Sequence, residues 1–309
     1  MSEVNFTNQQ MLDWMGYVAE LQDVTPEKIK IANLCGKRRN FLALVSTHKR
    51  LLIFADETYP NMLYKCWEAG FGDYEMYYGE GYEPSEMKHC KVSDMMDTPI
   101  SGPTVIFIVN DDTREGMIFG MKNDNFSHGT VKYVGHEIRS VIMNKLEVDI
   151  RDTILMVDAE SVVIEASMIA YEGVIIAGER DEGSKRTMEE NIDKFGVHNV
   201  EVVTDLEEET LKALPVPRLA FIVAKKGEIK KDIESVLKIN PNAKFIFWTL
   251  ELDVLSEIKY IMEQCGVSVT EVMQISVSKT DKNSVFVAQP SPWLITGEVE
   301  DKHTMFICL

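Results

Sequence analysis

Apolar positions along the chain follow two alternating rhythms. Between residues 9 and 21, Leu12, Met15 and Ala19 share one face at helical spacing, which predicts an amphipathic helix. Apolar runs at 28–34, 50–55 and 104–109 have the length of strands, and the last is strongly β-branched. Residues 60–69, with Pro60 in the first turn and Gly70 behind them, predict another helix. The first 120 residues thus predict a small α/β unit. Residues 110–132 are polar and turn-rich and predict a linker, so two domains are expected over 1–124 and 125–309.

The rhythm is clearer in the second part. A helix over 137–146 leads into a strand at 153–157, then a helix through Glu165 and a strand at 174–177. Met188, Ile192 and Phe195 share a face of a helix that stops at Gly196. Strands at 200–204 and 219–224, a helix at 230–238 and a strand at 244–248 follow. Leu255, Ile258 and Met262 then mark one more helix face. Residues 268–277, 284–288 and 293–296 predict strands with no helix between them. Repeated strand–helix units closed by antiparallel strands predict a doubly wound, Rossmann-like α/β sheet with a C-terminal antiparallel hairpin, preceded by the smaller α/β domain. This outline resembles the class I S-adenosylmethionine methyltransferases.

Composition narrows the picture. At 309 residues, 45% apolar and 27% charged, the chain can bury two ordinary cores. Residues 1–10 are polar, without the basic-then-apolar order of a signal peptide, and the apolar window 161–178 is interrupted by Glu165 and Glu172. A cytoplasmic protein with no membrane span is expected. Five scattered cysteines without a CxxC pair, and six histidines without an HxH or HExxH unit, point away from a disulfide framework and from a metal site. A formal charge of −18 repels a phosphate backbone, so no nucleic-acid partner is expected.

Candidate chemistry centres on the turn between the strand at 153–157 and the next helix. A nucleotide-binding turn at this place is rich in glycine, so that the ligand can approach the backbone and the helix N-terminus. Here the turn holds Asp158 and Glu160 and no glycine.

Several runs in succession carry a more specific likeness: Asn125-Phe126-Ser127-His128-Gly129, Gly135-His136-Glu137-Ile138-Arg139, Ser161-Val162-Val163-Ile164-Glu165-Ala166 and Glu179-Arg180-Asp181. Residues 191–203 and Thr249-Leu250-Glu251 continue the series. Together they resemble the C-terminal, C15-methylating and decarboxylating domain of the precorrin-6Y C5,15-methyltransferases of cobalamin synthesis, over residues 125–297. Ala55-Asp56-Glu57-Thr58-Tyr59-Pro60 and Glu68-Ala69-Gly70-Phe71-Gly72-Asp73 are similar to the back half of the C5-methylating tetrapyrrole methylase domain. The front half, with its glycine-rich segment, is absent, so C5 methylation is not expected.

The resemblance implies S-adenosylmethionine as cofactor and assigns positions to it. The family's loop, D-I-G-A-G-S/T-G, aligns its acidic residue with Ile154 and its three glycines with Met156, Asp158 and Glu160. Side chains at these places fill ligand space, and two added carboxylates face the cofactor's own at about 1–4 kcal/mol for each pair near 4 Å. Glu179 falls where the family binds ribose hydroxyls; its other reading is a solvated charge. Lys225 and Lys226 end a strand where a polycarboxylate tetrapyrrole would bind, or form a solvated basic turn. Glu137 and Arg139 match a family E-x-R pair, or make a helix-surface ion pair. Thr249 and Glu251 match a T-L-E run, or Glu251 simply starts a helix, where an acid favours the dipole. No Ser–His–Asp or Cys–His pairing can be assigned, so catalytic residues stay unassigned.

Three functions compete. The first is a divergent homologue with a degraded cofactor site that acts as a non-catalytic binding or assembly protein, binds no cofactor, takes a tetrapyrrole or another small molecule, and forms a homo-oligomer as the related C-terminal domains do. The second is an active S-adenosylmethionine-dependent precorrin C-methyltransferase. The third is an acidic module that binds a cation through Asp158 and Glu160. The residues favour the first.

Overall fold

A computed structural model of the protein describes residues 5–37, 39–113, 120–128 and 135–299. The chain divides into two compact units, Met1–Met117 with Phe195–Asn199, and Ile118–Lys194 with Val200–Leu309. The expected linker at 110–132 lies partly outside the described residues, at 114–119 and 129–132.

The first unit is built on α1 (Asn8–Leu21), β1 (Lys30–Asn33), α2 (Phe41–Thr47), β2 (Arg50–Ala55), α3 (Met62–Cys66), β3 (Glu75–Glu80), β4 (Lys88–Lys91) and β5 (Thr104–Val109). Thr7 and Gln10 close a reciprocal cap on α1, which then buries Trp14, Val18 and Ala19. The sheet runs β1-β2-β5-β3-β4, and only the β1–β2 pair is parallel. Trp14 and Val18 pack with Leu52, Phe54, Val105 and Phe107 in its core. The sequence pattern missed α2, β3 and β4. The reason is plain for β4: Lys88, His89 and Lys91 are exposed on an edge strand, which needs no apolar signature.

The second unit contains α4 (His136–Leu146), β6 (Thr153–Val157), α5 (Ser161–Ile169), β7 (Val174–Gly178), α6 (Glu182–Phe195), β8 (Val200–Val203), α7 (Glu208–Lys212), β9 (Leu219–Val223), α8 (Ile229–Ile239), β10 (Lys244–Thr249), α9 (Leu252–Gln264), β11 (Val267–Gln274), β12 (Ser278–Thr280), β13 (Phe286–Ala288) and β14 (Trp293–Val299). The main sheet has the order β11-β14-β10-β9-β6-β7-β8. Its strands β6 to β10 are parallel, whereas β14 runs antiparallel to β10 and β11. This is the Rossmann-like arrangement of class I S-adenosylmethionine methyltransferases, with the antiparallel C-terminal addition. Leu155, Val157, Ala220, Ile222, Phe245 and Phe247 bury one face against Ile233 and Val236 of α8 and Ile258 of α9. Continuous apolar runs fit strands covered on both faces.

One expected strand behaves differently. Residues 284–288 do not join the main sheet: β13 pairs with β12 in a separate two-stranded ribbon, where Phe286 is 76% exposed. Its apolar side chains gave a core-like pattern although they face outward.

Candidate functional site

Strand order reverses between β6 and β9, and right-handed crossovers then send α5 and α8 to opposite faces of the sheet. Open α/β sheets bind ligands in the crevice that this reversal leaves beyond the strands' C-terminal ends. The residues at this place are Asp158 after β6, Glu179 after β7, and Lys225 after β9.

The turn after β6 keeps a backbone path suited to glycine without having one. Asp158 has φ 52°, and Glu160, at the N-cap of α5, has φ 42° and ψ −116°. Both lie in the left-handed half of conformational space, where a Cβ is penalised. The Asp158 N–H donates to the Gly178 carbonyl at 3.0 Å, which extends the β6–β7 ladder past its last paired residues. Val162 and Val163 donate to the carbonyls of Ala159 and Glu160 as α5 begins.

Asp158 is 4% exposed, and its Oδ2 lies 2.8 Å from the Lys225 ammonium, whose side chain is 43% exposed. Glu160 has a buried Oε1 with no hydrogen-bond partner among the described residues, and its side chain makes no helix cap. Burial, followed by the Asp158 charge, pushes its carboxyl up to about 7. Glu179 is 0% exposed, and neither carboxylate oxygen has a well-formed hydrogen bond among the described residues. Burial first, then the charges of Asp158 and Glu160, push it up to about 8, against the pull of Lys225 and of the Glu160 main-chain N–H. Next to it Arg180 bonds Glu228 and the buried Asp232, which ties the end of β7 to α8.

The structure therefore brings together four of the residues singled out in the sequence, Asp158, Glu160, Glu179 and Lys225. Near neutral pH Glu179 is mostly protonated and Glu160 about half so, and the group offers carboxyl donors and acceptors. A metal centre is not evident, because no group of three or more His, Cys, Asp or Glu is placed to hold an ion among the described residues. Likewise, no helix of the described residues is long and apolar enough to cross a membrane.

The other candidates have local partners. Lys226 pairs with Asp253 of α9 at 2.8 Å. Thr249 is buried and accepts from the Glu251 N–H at 3.0 Å, while Glu251 stands exposed at the N-cap of α9 without a side-chain cap. Glu137 pairs with His136 at 2.8 Å and with Lys279 of β12.

Arg139 is 0% exposed and is not the helix-surface ion pair that the E-x-R spacing allowed. Its Nε donates to Glu165 Oε1 at 2.5 Å, and its other nitrogens donate to Ser161 Oγ at 2.9 Å, to Asn123 Oδ1 at 3.2 Å and to the Met121 carbonyl. Glu165 also accepts the N–H groups of Gly120 and Met121, at 3.0 and 2.9 Å. Phe126 lies under the guanidinium at 4.7 Å. Ser127 exchanges both main-chain hydrogen bonds with the Asn191 amide, at 2.7 and 3.1 Å. Phe126, Ser127, Arg139, Ser161, Glu165 and Asn191 all belong to runs that carried the sequence likeness. They join segment 120–127 to α4, α5 and α6.

Sequence reasoning missed the Arg180–Glu228–Asp232 clamp and the buried indole of Trp248, whose Nε1 has no partner among the described residues. No periodic signal marks either feature. The acids that hold Arg180 lie on another element, and a Trp on a buried strand reads as core.

Neither a protein-family model nor a curated protein matches the chain. Solved structures do. A precorrin-6y C5,15-methyltransferase structure from Geobacter metallireducens GS-15 is 27% identical with a TM-score of 0.54, covering 59% of this chain and 97% of that one. A precorrin 8w decarboxylase from Methanobacterium thermoautotrophicum is 20% identical, TM-score 0.49, over 58% of this chain and 98% of that one. The C-terminal domain of the Rhodobacter capsulatus precorrin-6Y C5,15-methyltransferase is 15% identical, TM-score 0.48, over 59% and 98%. The likeness to the Geobacter structure places the fold of the matched 59% of this chain with the precorrin-type S-adenosylmethionine-dependent methyltransferases.

Proposed function

We propose that this chain is a non-catalytic binding or assembly protein on a precorrin-methyltransferase scaffold, in which the cofactor crevice no longer accepts S-adenosylmethionine. One observation carries the reading. Asp158 and Glu160 occupy positive-φ positions in the turn after β6, so the glycine-type path persists while side chains stand where backbone must be approached closely. The charge is also wrong for the cofactor's carboxylate: Asp158 already holds the ammonium of Lys225, and Glu160 and Glu179 are acids themselves. The residues present do not fit S-adenosylmethionine, and they offer no footing for a methyl-transfer step.

A second reading, an active S-adenosylmethionine-dependent precorrin C-methyltransferase, draws support from Glu179. This carboxyl is buried, with no well-formed hydrogen bond among the described residues, at the position where the resembling family holds ribose hydroxyls. Calorimetric titration with S-adenosylhomocysteine decides between the two. Absence of saturable heat is the expected result, and a micromolar dissociation constant overturns the non-catalytic reading.

A further inference from the structure

The crevice at the ends of β6, β7 and β9 is short of positive charge. Three carboxyl groups, of Asp158, Glu160 and Glu179, face one ammonium, Lys225, which lies 2.8 Å from Asp158 Oδ2. The remaining nearby cation, Arg180, is engaged by Glu228 and Asp232. The N-terminus of α5 adds only a partial positive charge, beside Glu160. Glu179 has no exposed surface, and both its oxygens lack a well-formed hydrogen bond among the described residues, as does the buried Oε1 of Glu160. Buried carboxyl oxygens without partners are costly, and such a site takes up a proton, a water or a ligand. Lys225, almost half exposed, marks the open side of the group.

Resting on the reading that S-adenosylmethionine is excluded, we propose that this crevice binds a small organic diammonium ion that carries no carboxylate. Glu179 and Glu160 are its anchors, and Asp158 stays with Lys225. Binding is an exchange of ions with no covalent step. Each neutral carboxyl releases its proton to solvent, and the resulting carboxylate pairs with one ligand ammonium. The empty site holds those protons near neutrality, since Glu160 is pushed up to about 7 and Glu179 to about 8. Affinity therefore rises with pH across that range until the ligand amines themselves deprotonate. A carboxylate on the ligand would meet the same three acids and Lys225 already engaged, which excludes amino acids and favours a simple diamine.

The test is calorimetry on the full chain with diaminobutane at about pH 7.5, in two buffers of different ionisation enthalpy, beside butanediol and S-adenosylhomocysteine. The expected result is one saturable diamine site with proton release, weakened about tenfold or more by Glu179→Gln and by Glu160→Gln, and no saturable heat from butanediol. Absence of saturable diamine binding up to about 10 mM overturns the proposal. So does binding that both variants leave unchanged, which reports only the acidic surface. Should either variant fail to fold, wild-type heats that are identical in the two buffers, hence no proton release, overturn it equally. Binding of S-adenosylhomocysteine instead removes the parent reading, so failure of that reading and failure of this proposal give different results.

Discussion

Glu160 concentrates two costs in one residue, a backbone conformation suited to glycine and a buried carboxyl oxygen, Oε1, without a hydrogen-bond partner among the described residues. Positions of this type carry about 1–3 kcal/mol of backbone strain. Glu160→Gly is expected to raise stability by about 1 kcal/mol, read from urea unfolding at mildly alkaline pH; a loss of stability there contradicts the strained geometry. The acids also link folding to pH. Glu160 and Glu179 rise from an ordinary value of 4.5 to about 7 and about 8 in the folded protein. The folded state then holds protons that the unfolded chain releases near 4.5, so their contribution is full below that pH and is lost as pH rises through 7–8. The thermal midpoint of wild type should fall relative to Glu179→Gln between about pH 5 and pH 9, and parallel curves would contradict the shift. In the sequence, the missing glycines and the two acids were plain at this scale. The pairing of Asp158 with Lys225 was not, because it depends on β6 and β9 lying side by side although other elements separate them in the chain.

At the scale of elements, Arg139 and Glu165 lock α4 to α5 and to segment 120–123. Removing one partner strands a buried charge, and Arg139→Ala is expected to cost about 3–5 kcal/mol in chemical denaturation. A change below about 1 kcal/mol would mean that Glu165 readily finds another partner. The buried strands β6, β7, β9 and β10 were readable as continuous apolar runs, and α6 and α9 by their helical faces. Short elements were not. Helix α7 begins Glu208-Glu209 and buries only Leu211, too little to make a periodic pattern. The burial of Arg139 is hidden in the sequence for a similar reason: spacing shows that a charge lies on a helix, and only packing shows which way it faces.

For the whole molecule, the dominant global property is a formal charge of −18. Like charges repel across the folded surface, and salt screens them over about 10 Å at 0.1 M. Raising sodium chloride from about 20 to 200 mM should therefore raise the thermal midpoint, and a fall would indicate that attractive surface pairs outweigh the repulsion. Fold class was legible at this level because the order of strands and helices leaves few ways to wind a sheet. The geometry of the crevice was not, since two acids in one turn alter no periodicity.

The buried network around Arg139 has a consequence for how such chains are traced. Its members are held by hydrogen bonds that close the scaffold, and none of them lies in the Asp158–Glu160–Glu179–Lys225 group. Their role is to hold the framework, whichever molecule the crevice admits. A likeness carried by such residues is a likeness of build, and it leaves the occupation of the crevice to be read from the crevice itself.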